Sequence, residues 1–385
     1  MIRIDNKSLC CGCTACQSVC PKDAISMKPD ELGFLYPQVD ADRCIDCGLC
    51  EKVCDFVKHQ PCDFPDDTLV NVYAARHRDE AVVNASQSGG VFTALSDLIL
   101  GEGGVIYGAA FNDDYTVSHT RAASQEERNR LRGSKYVQSD MEDCFRRVYS
   151  DLKDGVKVLF TGTPCQVAGL KSYIPESLHA NLTTIDIVCH GVPSPAIWKD
   201  YHKYRTVQAG CREVNFRDKS LKGWKAHVES FTGNDDVKRY FRTFSTLFYT
   251  ELMHRDSCYS CPYNVFERSS DITISDFWGV GEVKESFDGN QGTSLMICRT
   301  EKGKELFDKA QNIIEAGECV LTKQFIKRYN PNMLAPTRQP EDRSEFVRCY
   351  RDKGLIYIAK RWGDLGLRYK IRRFINKVKR KLGIR

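Results

Sequence analysis

The feature that most constrains the fold of this chain is a pair of cysteine runs with identical spacing. Each run has the pattern C-x-x-C-x-x-C-x-x-x-C; the first is Cys10, Cys13, Cys16 and Cys20, and the second is Cys44, Cys47, Cys50 and Cys54. Three thiolates spaced by two residues can surround one side of a cubane 4Fe–4S cluster, and where two such runs occur the fourth ligand comes from the other run. The runs therefore predict two clusters, one held by Cys10, Cys13, Cys16 and Cys54 and one by Cys44, Cys47, Cys50 and Cys20.

The residues around these cysteines agree with cluster ligation. Gly12 and Gly48 allow the tight backbone that directs amide N–H groups at cluster sulfides. Pro21 follows the first run, as in the bacterial pattern, whereas Asp55 follows the second. The alternative is a pair of zinc sites, but zinc typically uses two separated pairs of ligands. Cys11, the extra thiol in this region, is interpreted as a bystander.

The number of cysteines also bears on the cellular compartment. Nineteen cysteines in 385 residues, clustered as they are, indicate metal ligands rather than disulfides, since a chain of this size does not need covalent staples. No apolar run approaches the ~18 residues needed to cross a bilayer, and the first residues lack the apolar core of a signal peptide. We therefore expect a cytoplasmic protein.

Beyond a polar linker at 59–67, the sequence alternates between strand and helix patterns, which predicts an α/β body. The predicted strands include 72–75, 104–111, 156–161 and 182–189, and the predicted helices 91–100 and 142–152. Before the first of these helices, Ser88-Gly89-Gly90 forms a turn where free amides favour a phosphate, although a plain N-cap explains the same residues. A second turn at 161–166 presents Cys165 at the carboxyl edge of the sheet, where α/β proteins bind ligands.

Four further cysteines lie at strand ends and in a C-x-x-C loop. They are Cys165, Cys189, Cys258 and Cys261. Four thiolates suffice for a third 4Fe–4S cluster, but spacing alone leaves a catalytic dithiol and a zinc site as alternatives.

Several motifs, taken in order, resemble those of the coenzyme F420 hydrogenase/dehydrogenase beta-subunit family, which is related to hydroxymethyl-chlorophyll reductase of plants. Besides the cysteine runs they are SGGVFTAL (88–95), LRGSKYVQS (131–139), TGTPCQVAGLK (161–171), DIVCHGVPSP (186–195), CYSCPY (258–263) and DITISDFWGVG (271–281). The resemblance implies an iron–sulfur flavoprotein that binds FAD and, in some members, oxidises or reduces F420. It also implies that the four dispersed cysteines bind a cluster next to the flavin.

The resemblance assigns individual residues as well. By position, Ser88, Gly89 and Gly90 would hold the flavin pyrophosphate, Gly133, Ser134, Lys135 and Tyr136 would line the flavin, and Thr163, Pro164 and Gln166 would lie near it. The acid–base candidates are His190, Lys135 and Asp276. For each of these three, a structural hydrogen bond is the alternative interpretation.

We therefore expect an oxidoreductase that passes electrons from ferredoxin or a similar low-potential donor through three 4Fe–4S clusters to FAD and on to an organic substrate, F420 or a glycan-related metabolite. The alternatives are an F420-reducing or F420-oxidising beta subunit of a hydrogenase or dehydrogenase complex, and a non-catalytic electron-transfer subunit. The forms Cys-His-Gly-Val-Pro (189–193) and Asp-Phe-Trp-Gly (276–279) resemble those of bacterial stand-alone relatives more than those of dedicated hydrogenase subunits. That similarity favours the first of the three interpretations.

The expected fold is α+β: an N-terminal bacterial two-cluster ferredoxin-like module (1–60), an α/β flavin-binding body (68–345) and a basic C-terminal amphipathic helix (346–385). From residue 360 onward the chain has eleven Lys or Arg and one acidic residue, Asp364. One face of this tail is apolar, with Leu367, Ile371, Phe374, Ile375, Val378 and Leu382 at helical spacing. Such a helix can lie at the inner face of a membrane or dock on the acidic body. Nucleic acid is not an expected partner.

Overall fold

The computed structural model describes residues 1–59, 64–65, 68–367, 369, 371 and 375. Phe374, Val378 and Leu382 of the predicted tail face lie outside the described residues. Among the helices that are described, none combines the length and the apolar character that crossing a membrane requires. The strands are β1 (Ile25–Pro29), β2 (Leu35–Val39), β3 (Leu69–His77), β4 (Val105–Phe111), β5 (Val117–Ala122), β6 (Val158–Gly162), β7 (Leu182–Ile187), β8 (Glu213–Asn215), β9 (Glu229–Thr232), β10 (Lys238–Phe241), β11 (Ile272–Asp276), β12 (Ser294–Cys298) and β13 (Ile314–Thr322).

Helices alternate with most of these strands. They are α1 (Ala15–Ser18), α2 (Leu49–Lys52), α3 (Asp55–Lys58), α4 (Glu80–Ala85), α5 (Val91–Gly101), α6 (Gln125–Leu131), α7 (Cys144–Lys153), α8 (Pro164–Tyr173), α9 (Pro195–Thr206), α10 (Thr243–Phe248), α11 (Glu301–Lys309), α12 (Lys323–Tyr329) and α13 (Arg343–Arg361). Short 3-10 segments connect several elements; they are Lys7–Leu9, Glu176–Asn181, Asp256–Ser260, Val280–Glu282, Glu285–Phe287 and Pro331–Met333.

The first 59 residues form a small module with an internal repeat. Each cysteine run makes a loop that leads into one short helix, α1 or α2. Strands β1 and β2 lie between the runs and pair antiparallel, with Ile25 opposite Val39. This hairpin lets the two loops approach each other, so that each run can reach the other's cluster site.

The body is built on an eight-stranded mixed sheet in the order β13-β3-β12-β11-β7-β6-β4-β5. Its centre is parallel, from β4 through β6 and β7 to β11, and the outer strands pair antiparallel. Most residues of β6 and β7 are buried, as expected for strands covered on both faces. The carboxyl ends of the parallel strands, at Gly162, Ile187 and Asp276, meet at one edge, which is where such sheets bind ligands.

A second layer consists of the three-stranded sheet β10-β9-β8 with α9, α10 and α13. Its core is aromatic; for example, the rings of Trp198 and Phe216 are 4.7 Å apart. Helix α13 contributes Phe346 and Ile358, both fully buried in this core. The predicted boundary at residue 346 therefore falls inside a helix whose apolar side chains pack on the body. Gly354, with φ 71°, interrupts this helix.

The N-terminal module packs directly on the body through α7 and α8. Arg146 of α7 donates a hydrogen bond to the carbonyl of Ser18 (3.0 Å), and Ser172 of α8 donates to that of Val53 (2.8 Å). A Cβ at Gly169 of α8 would lie 2.7 Å from the Cys13 sulfur. The glycine therefore allows α8 to approach the first cysteine run.

Candidate functional site

The structure brings the two cysteine runs together in the crossed pairing. One set consists of thiols within electrostatic reach of one another, namely Cys10, Cys13, Cys16 and Cys54. The other set lines one small pocket and consists of Cys20, Cys44, Cys47 and Cys50. Burial, followed by the neighbouring thiols, raises the pKa of Cys16. In the described part of the chain, no three His, Cys, Asp or Glu side chains lie close enough to share a single metal ion.

The two cysteine loops have the same backbone conformation. Gly12 and Asp46 occupy equivalent positions, with φ of 75° and 49°. Thr14 and Gly48 are the next equivalent pair, with φ of 65° and 71°, and they are the N-caps of α1 and α2. Left-handed backbone at non-glycine residues has a steric cost, so its presence in both loops indicates a shared requirement. The Asp46 N–H donates to the Cys44 sulfur (3.4 Å), a contact that stabilises a cluster thiolate.

The four dispersed cysteines also come together, below the carboxyl edge of the sheet. Cys165 lies in the first turn of α8, Cys189 follows β7, and Cys258 and Cys261 lie in and after a 3-10 turn. Burial raises the pKa of Cys261, and the thiols of Cys165, Cys258 and Cys189 raise it further. The N–H of Val192 donates to the Cys258 sulfur (3.4 Å). Four adjacent thiols, once deprotonated by metal, fit a third 4Fe–4S cluster.

Cys11 lies between the first and the third set of cysteines. It is only 6% exposed and packs with Phe56, Ala168 and Tyr263. The ligands that pack on this group come from both sets: Cys13 and Cys54 from the first, and Cys165 and Cys261 from the third. The neighbouring Cys11 thiol lowers the pKa of Cys13, and it is also the largest cause that lowers the pKa of Cys165, to about 7. Cys11 is therefore part of the contact between the two sets, and not a bystander.

A cleft of about 490 Å³ opens at the carboxyl edge of the sheet. Cys189 lines this cleft, so the third cysteine set borders it. Most of the predicted site residues line it too: Ser88, Gly90, Gly133, Ser134, Lys135, Tyr136, Thr163, Gln166, His190 and Asp276. Gly89 and Pro164 are not among the lining residues. The volume is in the range of small-molecule and cofactor sites.

The N-terminus of α5 faces the cleft. Gly90, the N-cap, has φ 85°, and Val91 in the first turn lines the cleft. The free N–H groups and the dipole of a helix N-terminus favour a phosphate. Gly89 is needed for a different reason. A Cβ there would lie 2.3 Å from the carbonyl oxygen of Ala75, and its N–H donates to Ser294 Oγ (3.0 Å).

Lys219, which belongs to none of the sequence motifs, donates hydrogen bonds to the backbone that precedes α5. Its Nζ donates to the carbonyls of Ser88 (3.2 Å) and Val83 (2.6 Å). Burial lowers the pKa of Lys219 to about 8. The lysine therefore holds the Ser88 turn in place and adds positive charge near the α5 N-terminus.

The segment 133–136 is tied to the turn before α5. Gly133 has φ 80°, which shapes the turn that leads into it. The Ser134 N–H donates to Gln87 Oε1, and Gln87 Nε2 donates to the Tyr136 hydroxyl oxygen (3.3 Å). Two segments that the resemblance assigns to one ligand are thus joined through Gln87.

Lys135 is oriented by backbone carbonyls. Its Nζ donates to the carbonyls of Arg130 (2.8 Å) and Arg132 (3.2 Å), at the C-terminal end of α6. Burial lowers the pKa of Lys135 to about 7. These contacts support the structural interpretation of Lys135 more directly than a catalytic one.

Thr163 and Gln166 form a capping box at the start of α8, with Pro164 as its first helical residue. The Thr163 N–H donates to Gln166 Oε1 (2.9 Å), and Gln166 Nε2 donates to Ser139 Oγ (3.0 Å). The Ser139 hydroxyl is also 2.9 Å from Nδ1 of buried His119, and burial lowers the pKa of His119 to about 4. These residues therefore shape the cleft wall through their own network.

Asp276 uses both carboxylate oxygens in structural contacts. Arg217 Nη1 donates to Oδ2, and Trp224 Nε1 donates to Oδ1 (2.8 Å). Trp224 stacks on Trp278, which lines the cleft, with the rings 4.6 Å apart and 9° from parallel. Asp276 therefore holds an aromatic platform and a cation in the cleft, which agrees with its structural interpretation.

His190 is the acid–base candidate with the most suitable surroundings. It follows Cys189 and lines the cleft. Its Nδ1 lies 2.9 Å from Asn332 Oδ1, and its Nε2 lies 3.2 Å from Glu251 Oε1. Asn332 and Glu251 thus hold the His190 ring from both of its nitrogens.

Several residues that line the cleft, or that contact its lining residues, were not predicted from the sequence. They are His119, Arg217, Lys219, Trp224, Glu251 and Asn332. None belongs to a motif with recognisable spacing, and each reaches the site through the folding of a distant segment. A local signal for them is therefore lacking in the sequence.

Family models match most of the chain. Two of them describe the beta subunit of coenzyme F420 hydrogenase/dehydrogenase: the model of its N-terminal part matches residues 72–146, and the model of its C-terminal part matches residues 155–321. A 4Fe-4S dicluster domain matches residues 9–56.

Individual proteins match less of it. The F subunit of the F(420)H(2) dehydrogenase of Methanosarcina mazei is 25% identical over 189 residues, 46% of this chain and 51% of that protein. The Rpo3 subunit of the DNA-directed RNA polymerase of Methanosarcina acetivorans is 32% identical over 110 residues, 29% of this chain and 34% of that protein. A chain from the xenon-derivatized F420-reducing NiFe hydrogenase complex of Methanosarcina barkeri aligns with 19% identity and a TM-score of 0.46, over 64% of this chain and 81% of that one. The chain thus spans about half the length of the first relative and about a third of the second.

Proposed function

Because this chain belongs to the coenzyme F420 hydrogenase/dehydrogenase beta-subunit family and carries a 4Fe-4S dicluster domain, we propose that it is an iron–sulfur electron-transfer subunit that exchanges electrons with F420. In this proposal it works with the other subunits of a hydrogenase or dehydrogenase complex. The similarity to the F subunit of F(420)H(2) dehydrogenase supports this choice. It favours the alternative from the sequence over a stand-alone, ferredoxin-dependent reductase.

The observation that carries the proposal is the position of Cys189. This residue belongs to the third cysteine set and also lines the cleft. An organic cofactor in the cleft would therefore lie directly beside the third cluster site, with Cys189 between the two. Cys11, in turn, connects the third set to the first. The cysteine sets thus follow one another from the N-terminal module to the cleft.

We further propose that the cleft holds FAD. Ser88 and the N-terminus of α5 would face the pyrophosphate, with Lys219 behind them, and the segment 133–136 would line the ring system. When bound, a flavin supplies the conversion between one-electron exchange with clusters and two-electron exchange with an organic partner. The fit rests on the cleft volume, the helix N-terminus and the nearby cations.

Residues of this chain have distinct roles in the proposal. His190 and Glu251 would exchange the proton that accompanies two-electron chemistry at the cleft wall. Asp276 holds Arg217 and Trp224, and Trp224 in turn stacks on Trp278, which lines the cleft and would stack on a planar ring. Phe248 packs near the His190 ring, at 5.3 Å, and limits its orientations.

The test is anaerobic purification of the full chain, with iron, sulfide and flavin measured on one sample and F420 reduction then assayed with a low-potential donor. About twelve irons and one flavin per chain, with F420 reduction, would support the proposal. The variant Cys189→Ser should lose about four irons and the activity. The control Cys298→Ser, in β12, should retain both. About eight irons, no flavin and no reaction with F420 would overturn the proposal.

A further inference from the structure

One buried arginine contacts the ligand loops of both the first and the third cysteine set. Arg255 is 0% exposed. Its Nε donates to the carbonyl of Cys10 (2.7 Å), and its Nη2 donates to that of Leu35 (2.9 Å) and lies 3.6 Å from the Cys10 sulfur. Its own carbonyl accepts a hydrogen bond from the Cys258 N–H (2.9 Å). Arg255 thus lies where the N-terminal module meets the body.

The partners of the Arg255 guanidinium that the structure describes are neutral groups and a ligand sulfur. Its Nη1 donates to Gln138 Oε1 (2.9 Å), and Gln138 Nε2 donates to the carbonyl of Cys11 (2.8 Å). The guanidinium also stacks on Tyr36, at 4.1 Å from the ring centre. By comparison, buried Arg217 pairs with Asp276. The charge of Arg255 therefore acts on the thiols of the first set, of which Cys10 is the nearest, and it also reaches Cys165 and Cys258 of the third set.

The equivalent region of the second set has a different charge pattern. Asp46 and Glu51 lie beside its cysteines, and both pair with the amino group of Met1, at 2.9 Å and 3.4 Å. These groups are partly or largely exposed, so water screens them. The two cysteine loops have matching backbones, but a buried cation accompanies only the first within the described residues.

We propose that Arg255 is a positioning residue that raises the reduction potential of the first cluster above that of the second. A cluster with four thiolates is an anion and gains negative charge on reduction, so a buried, permanently charged cation stabilises the reduced form. One electron from a low-potential one-electron donor would pass from the second cluster to the first, beside Cys11 and the third set. The inference rests on the cluster content of the proposed function and not on F420 or flavin.

The experiment is an anaerobic redox titration of the full, iron-loaded chain with dithionite, monitored by electron paramagnetic resonance. The variant Cys47→Ser identifies the signal of the second cluster. In Arg255→Gln, the equilibrium constant for reducing the first cluster should fall at least tenfold, which corresponds to 59 mV for one electron, while that of the second stays constant. In Arg255→Lys, which keeps the positive charge, the reduction potential of the first cluster should stay close to that of the unmodified chain.

A second variant keeps the arginine and changes only its partner. Gln138→Glu places a carboxylate 2.9 Å from Nη1 and should lower the potential of the first cluster in the same direction. The control is Arg128→Gln, which removes another buried arginine, one paired with Asp97 and distant from the cysteine loops. It should reduce stability without moving either potential.

The outcomes separate an electrostatic role from a structural one. Unchanged potentials in iron-loaded Arg255→Gln and Gln138→Glu would overturn the proposal, as would loss of iron in both variants, since that result shows a structural role only. If only Arg255→Gln loses iron, the reduction potential of the first cluster in Gln138→Glu decides between the two roles: a lower potential supports the proposal and an unchanged one overturns it. Failure of the chain to reduce F420 would contradict the proposed function but would not affect the result of this titration.

Discussion

Replacing Gly89 by alanine should destabilise the protein through one added methyl group. The new Cβ would lie 2.3 Å from the carbonyl oxygen of Ala75 in β3 and 2.8 Å from the amide nitrogen of Ser294 in β12. Both are backbone atoms of paired strands, which cannot yield independently. Overpacking of this kind costs roughly 1–3 kcal/mol, and weakening the bond from the Gly89 N–H to Ser294 Oγ adds about 1 kcal/mol. The expected loss is about 2–4 kcal/mol.

The assay is thermal unfolding of the iron-loaded chain under anaerobic conditions, followed by far-ultraviolet circular dichroism at a fixed scan rate. For a chain of 385 residues this loss of unfolding free energy should lower the apparent Tm by roughly 2–5 °C. The matched control is Gly101→Ala at the end of α5, where an added Cβ meets nothing within 4 Å. This control should be neutral or stabilising by up to about 1 kcal/mol.

Two results would refute the steric argument. One is an unchanged Tm in Gly89→Ala, and the other is an equal decrease in both variants. Normal stability combined with loss of bound flavin would instead restore the interpretation from the sequence, in which Gly89 contacts the pyrophosphate. The measurement therefore separates a packing requirement from a ligand contact.

Three further predictions concern the cleft and its cysteines. Cys189→Ser should lower the iron content by about four per chain, measured colorimetrically, and leave the signals of the N-terminal clusters intact. Asp276→Asn leaves the buried Arg217 charge without its carboxylate and should cost roughly 3–5 kcal/mol, seen as a lower denaturation midpoint. Burial holds the pKa of His119 at about 4, below its value of about 6.5 in the unfolded chain. The stability that neutral, buried His119 contributes is therefore fully present above pH 6.5, and the free energy of unfolding should fall by about 2 kcal/mol on acidification to about pH 5. His119→Gln should remove this pH dependence, as measured by denaturation curves at each pH.

Local patterns predicted many elements of the body well. The helix predicted at 91–100 corresponds to α5 (Val91–Gly101), and the strand predicted at 104–111 to β4 (Val105–Phe111). The sequence around them has regular apolar periodicity with glycine at the ends, which is a local property. By contrast, the short strands β8, β9 and β10 were not predicted, because they are brief and their burial depends on an aromatic core drawn from distant segments.

The candidate site shows the same division. The turn residues Thr163, Pro164 and Gln166 were identified by motif, but the structure shows that they form a helix cap and a wall network. The partners that decide what each candidate can do come from elsewhere in the chain. Glu251 reaches His190, and Arg217 reaches Asp276, over separations of 61 and 59 residues. No spacing rule covers such distances.

The sequence by itself determined the two cysteine loops, because ligand spacing and left-handed backbone positions are set within a few residues. It also determined that four further cysteines were available, and the family motifs indicated their use. The spacing of the runs also predicted their crossed pairing, which the hairpin of β1 and β2 makes possible. Only the tertiary structure decided how the four dispersed cysteines come together, since this depends on the edge where β6, β7 and β11 end. It also placed Cys11 and Arg255 between two ligand sets, a result of packing the N-terminal module on the body, which no local pattern encodes.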